Sequence, residues 1–108
     1  MNLIPIPNPT GYFQFVTNVG NDVWLFVFTW NQKYSLFHVD VYLNNEPQIL
    51  SKGVHGGVQL LNDYSNGYNF LLYGTDPTAP ADLGVTLKLY QITSSDALNL
   101  GLIRNGIT

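Results

Sequence analysis

Val23-Trp24-Leu25-Phe26-Val27-Phe28-Thr29-Trp30 is the stretch whose reading decides the fold. Read with a period of two, it sets Trp24, Phe26, Phe28 and Trp30 on one face and Val23, Leu25, Val27 and Thr29 on the other. Both faces carry the aromatic and β-branched residues of a strand. A strand apolar on both faces sits centrally or is covered on both sides. The aromatic row has three readings, ranked in this order: core of the chain, subunit interface, and platform for stacking sugar rings. Turn-forming residues bound the stretch, with Asn18-Val19-Gly20-Asn21-Asp22 before it and Asn31-Gln32-Lys33 after it.

Outward from this strand, period-2 alternation recurs and no helical pattern of useful length appears. Tyr12 to Thr17 is a strand on the N-terminal side, and Leu3 to Ile6 is a short one that Pro5 and Pro7 confine to an edge. On the C-terminal side Tyr34 to Leu43 alternates cleanly, with Phe37, Val39, Val41 and Leu43 facing one way. Gln48 to Ser51, Tyr68 to Tyr73 and Val85 to Thr93 follow as strands. Val58 to Leu61 is a strand or a single helical turn. Thr75 to Asp82 is one long loop stiffened by two prolines, able to protrude. Ser94-Ser95-Asp96 caps a short helix through Leu100. About seven short strands predict an all-β domain, a single small antiparallel barrel or sandwich, over residues 1–93. Residues 94–108 are expected to form a short helix or an extended tail ordered by a partner.

Composition narrows the function. The 108 residues are 45% hydrophobic and only 10% charged, against about 25% charged in an average soluble domain. The chain carries two Trp, seven Tyr and six Phe. Aromatic enrichment with charge depletion is the composition of an interface core. The competing reading is a β-domain whose solvated face uses Asn, Thr and Tyr. Lys33, Lys52, Lys88 and Arg104 stand singly and the net charge is −3, so no basic stripe meets a nucleic-acid backbone. The longest apolar run, Val23 to Phe28, is far too short to span a bilayer. The first nine residues hold three prolines and no basic segment, unlike a secretory signal.

No catalytic or metal constellation is complete in the sequence; a carboxylate pair for glycoside hydrolysis stays open by spacing, since folding brings distant residues together, but nothing supports it. There is no cysteine, which excludes a disulfide framework, a thiolate zinc site and a cysteine nucleophile. His38 and Asp40 share a strand face, but one histidine and one carboxylate complete neither a metal site nor a base with its orienter, and a polar pair on the less buried face is favoured. A contribution from another subunit to an ion at His38 is left open. His55 stands in Lys52-Gly53-Val54-His55-Gly56-Gly57, where the glycines serve a ligand or a tight bend equally. No phosphate loop and no Gly-x-Ser-x-Gly elbow is present. The carboxylates at 22, 40, 46, 63, 76, 82 and 96 fall mostly in turns, where aspartate bonds its own backbone. The reading is of a non-enzyme that takes no cofactor.

The order of segments resembles a known family. Ile4-Pro5-Ile6-Pro7-Asn8-Pro9 precedes Tyr12-Phe13-Gln14-Phe15, and Trp24 to Asn31 leads into Phe37-His38-Val39-Asp40-Val41. A turn at Gly53, Val58-Gln59-Leu60-Leu61, Tyr68-Asn69-Phe70, Asp82-Leu83-Gly84-Val85 and Leu87-Lys88-Leu89-Tyr90 complete the series. Over residues 4 to 92 this is similar to the small plug proteins in the baseplates of contractile-tailed, cyanophage-like bacteriophages. The tail after Thr93 is longer than that pattern requires. The resemblance implies a structural virion protein, assembled in the host cytoplasm into the tail baseplate. Its partners would be other copies of itself around the tail axis, the tail tube, and the baseplate hub or spike, and it would help to close the tube before contraction. No nucleic-acid or membrane partner is implied. The residues expected at such interfaces are Leu3, Ile4, Ile6, Trp24, Trp30, Asp76, Pro77, Pro80, Leu102 and Ile103. The alternative is a small carbohydrate- or receptor-binding β-domain, which needs exposed aromatics around Tyr64, Tyr68 and Tyr73.

Overall fold

The computed structural model describes residues 1–61 and 64–101. The decisive stretch is strand β3 (Asp22–Asn31), flanked by β2 (Tyr12–Val19) and β4 (Leu36–Leu43), with β5 (Glu46–Gly53) beyond. These four make one antiparallel sheet in the order β2-β3-β4-β5. The second sheet has the order β1-β7-β6, from β1 (Asn2–Ile4), β6 (Tyr68–Gly74) and β7 (Leu87–Thr93). The chain is a sandwich of these two sheets, so of the two expected architectures the barrel is excluded: neither sheet closes on itself.

Local chemistry explains the boundaries. Gly20, at φ 61°, and Asn21 form the two-residue turn of the β2–β3 hairpin. Asn44 and Asn45, at φ 48° and 71°, do the same between β4 and β5. The Asn31 side chain accepts from the Lys33 and Tyr34 N–H groups at 3.0 and 3.2 Å. That caps the β3–β4 turn and delays β4 to Leu36, two residues after the expected start. The first strand ends at Ile4, because Pro5 has no N–H to give. Of Val58 to Leu61, Gln59 makes an isolated antiparallel bridge to Leu71, with Leu60 N–H donating to the Phe70 carbonyl at 2.8 Å and Leu72 N–H to that of Val58 at 2.9 Å. The last strand starts at Leu87 rather than Val85.

The core lies between the sheets. Trp24, Phe26 and Phe28 are completely buried, as are Phe37, Val39 and Val41 on β4. Phe70 crosses from the opposite sheet and meets Trp24 and Phe26 edge-on, with centroids 5.0 and 5.1 Å apart. Such contacts add about 0.5–1.5 kcal/mol each beyond burial. A smaller cluster on the outer face of the second sheet seats helix α1 (Ser94–Asn99) through Ala97, Leu71 and Ile92. Thr93 rather than Ser94 caps that helix. Its hydroxyl accepts from Asp96 N–H at 3.2 Å, and the Asp96 carboxylate accepts from Thr93 N–H at 3.1 Å. Asp96 also meets the terminal amine of Met1 at 3.2 Å, joining the first residue to the helix.

Candidate interaction surface

Two polar links tie the body together. Trp24 Nε1 donates to the Tyr68 hydroxyl at 2.8 Å, and that hydroxyl donates to Asp22 at 2.7 Å. The chain of bonds joins β3 to β6 across the core. Burial first, and then the bond to Asp22, push the Tyr68 phenol up to about 12. The second link is at the surface. Asp76 accepts from Gly56 N–H at 2.6 Å and sits 2.9 Å from His55 Nδ1. The Gly56 bond, then His55, hold the Asp76 carboxyl below its ordinary value. Beneath this clamp a Cβ at Gly56 would stand 2.2 Å from the Gly74 carbonyl oxygen, and one at Gly74 (φ +130°) would stand 2.2 Å from that of Thr86. Only glycine lets these three backbones stack.

The expected site residues are placed as follows. Trp24 and Ile4 are buried within this chain, and their side chains belong to its core. Trp30 and Ile6 are half-buried and pack against that core, Trp30 edge-on to Phe37 at 4.9 Å. Leu3 is 54% exposed. Asp76 is spent on the clamp to His55 and Gly56. Pro77 is buried, and Pro80 opens a single 3₁₀ turn, Pro80–Asp82. The 75–82 loop therefore lies down on the body. Asp82 fastens it by accepting from the Thr78 N–H and hydroxyl and the Ala79 N–H. Leu102 and Ile103 lie outside the described residues.

His38 and Asp40 line a cleft of about 240 Å³ on the outer face of the first sheet, with Thr29 and Ser51. Asp40 accepts from Ser51 N–H at 2.7 Å, which holds a bulge in β5. Among the described residues no three groups converge as metal ligands. Tyr68 is buried, Tyr64 is half-buried and donates to Gln59, and only Tyr73 of the three expected sugar-stacking tyrosines is open.

The second apolar row of β3 lies on the outer face of the first sheet, beside the polar His38 and Asp40. On the outer face of the first sheet the register aligns Val16, Leu25, Tyr42 and Pro47 in one row across all four strands. Val16 is 58% exposed, and Val23 and Tyr12 on the same face are 44% and 64% exposed. Among the described residues no second sheet lies over this face, although Val27 on it is buried among its strand neighbours. The signal for this face was the two-sided β3 itself: on its second apolar face Val23 is exposed, Leu25 half-buried and Val27 buried. Among the described residues, no helix is long and apolar enough to cross a membrane.

No curated protein sequence matches the chain. A family model does, over residues 1–94, described as cyanophage baseplate Pam3 plug gp18. With that match running through every strand of both sheets, the chain belongs to this family of phage baseplate plugs.

Proposed function

We propose that this chain is a non-enzymatic structural plug of a phage tail baseplate. It sits near the tail axis with other copies of itself, packs against the tail tube and the hub or spike proteins, and helps to close the tube until contraction. It is assembled in the host cytoplasm and ends in the virion. The observation that carries this reading is the family match over residues 1–94. The apolar outer face supports it, because permanent assemblies bury surfaces that resemble a divided core. The polar groups support it too: Asp22, Asp76, Asp82 and Asp96 all hold parts of this chain together. Leu3, Trp30 and the tail residues Leu102 and Ile103 meet partners, and a neighbour orders the tail that follows helix α1.

The test is the composition of particles. Virions separated into heads and tails should carry the chain in the tail fraction, at a fixed ratio to the tube protein. A chain recovered only outside particles would overturn the proposal.

A further inference from the structure

The two edges of the first sheet are built differently. β5 is blunted by Pro47, by charges at Glu46 and Lys52, by two register shifts, and by Ser51 at φ 57°. Each of these is a device that stops edge-to-edge pairing. β2 has none of them. It is eight residues long, carries no charge and no proline, and pairs with β3 without a shift.

The phase of the ladder shows what β2 offers. Trp30 N–H donates to the Gly11 carbonyl at 2.8 Å, one step outside the Tyr12–Thr29 pair. Phe13, Phe15, Thr17 and Val19 therefore exchange their backbone bonds with β3, and Tyr12, Gln14, Val16 and Asn18 turn theirs to the open edge. The Thr10 hydroxyl donates to the Tyr12 carbonyl at 2.8 Å. Among the described residues, β2 pairs with no strand other than β3. The edge of β1, by the same reasoning from the Leu60–Phe70 and Leu72–Val58 bonds, turns only Leu3 outward before Pro5.

We propose that the free chain forms a two-fold dimer in which β2 pairs antiparallel with β2 of a second copy, joining the two four-stranded sheets into one. The occupant follows from the edge itself. Centred on Phe15, the pairing maps the four outward residues onto one another, Tyr12 onto the partner's Asn18 and Gln14 onto the partner's Val16. No other register pairs all four. It keeps core face with core face, and no like charges oppose. Phe15 then faces the partner's Phe15 in a non-hydrogen-bonded pair, where side chains lie closest. Phe13 and Phe15 are half-buried at this margin, stacked on Phe28 and Phe26 at 5.2 and 5.4 Å. The contact is isologous and stops at two copies. It concerns the free chain and does not rest on the baseplate reading.

Sedimentation equilibrium with amide hydrogen exchange tests it. A monomer–dimer equilibrium is expected, with protection at the amides of Tyr12, Gln14, Val16 and Asn18 rising with protein concentration. The amides of Phe13 and Phe15 stay protected at every concentration. Gln14→Pro removes an outward N–H and leaves the β2–β3 ladder intact. It should raise the dissociation constant about tenfold or more, with an unchanged far-ultraviolet spectrum. Should that variant misfold, the alternate-amide pattern of the native chain decides alone. A chain that stays monomeric at millimolar concentration, or a dimer whose four outward amides exchange freely, would overturn the proposal.

Discussion

The two faces of β3 carry similar sequences and have different fates. Both alternate rows are rich in apolar residues, yet Trp24, Phe26 and Phe28 are wholly buried while Val23 is 44% exposed. The inner row has a second sheet laid over it, with Phe70 inserted between Trp24 and Phe26. Among the described residues the outer row has its strand neighbours, Val16 and Tyr42 on either side of Leu25, and these bury Val27 but leave Val23 open. The hydrophobic effect drives both rows from water, but among the described residues only the inner row has a second sheet over it. The inner face holds the fold together, and the outer face is the surface on which the proposed packing against a partner rests.

That contrast gives measurable differences, the largest on the inner face. Phe26→Ala should cost about 3–5 kcal/mol, read by denaturant unfolding, because a buried ring leaves a cavity between two sheets. A loss below about 1 kcal/mol would mean the sheets are not packed as described. Tyr68→Phe should cost about 1–3 kcal/mol, since it strands the buried Trp24 N–H and breaks the link to Asp22. The same residue sets an alkaline limit. The Tyr68 phenol titrates at about 12 in the folded chain, against about 10 when unfolded. Between those values the unfolded chain releases a proton that the folded chain keeps, so stability is complete below pH 10 and falls as pH rises toward 12. Tyr68→Phe should flatten that part of the decline, measured by melting temperature against pH.

Smaller effects are expected at the surface. Asp76→Asn should lower stability slightly at neutral pH, since the clamp to His55 is exposed. The carboxyl is depressed in the folded chain, so its contribution is present above the ordinary carboxylate range and lost as pH falls. The variant should therefore lack this part of the acid dependence. Val23→Thr on the outer face should change stability by no more than about 0.5 kcal/mol. Leu25→Asp, in the middle of the outer row, should disturb incorporation into tails far more than it disturbs the fold. A large loss of stability from Val23→Thr would show that the outer face is covered within the chain.

The strands were legible because their signal is local. The alternation over 23–30 and 34–43 and the turn asparagines at 44 and 45 each lie within ten residues. Boundaries slipped where a side chain intervened, as when Asn31 caps the turn and pushes β4 to Leu36. What could not be read was contact between distant segments. Asp22, Trp24 and Tyr68 meet across more than forty residues of sequence. Gly56, Gly74 and Thr86 stack backbone on backbone with no motif to announce it. The prolines of the 75–82 loop predict a stiffened loop able to protrude, but the loop folds down because Asp82 collects its N–H groups and Asp76 reaches Gly56. The apolar outer face was in view as a second apolar row, but alternation alone does not say which of two rows a sheet will cover.

The central claim, that this chain is a working part of a phage tail, is tested most directly by recovering a tagged copy from its native source and identifying its companions by mass spectrometry. The account predicts tail tube and baseplate hub proteins, retained by the native chain and lost with Leu25→Asp. Recovery of the chain alone, or bound to glycans, would contradict it.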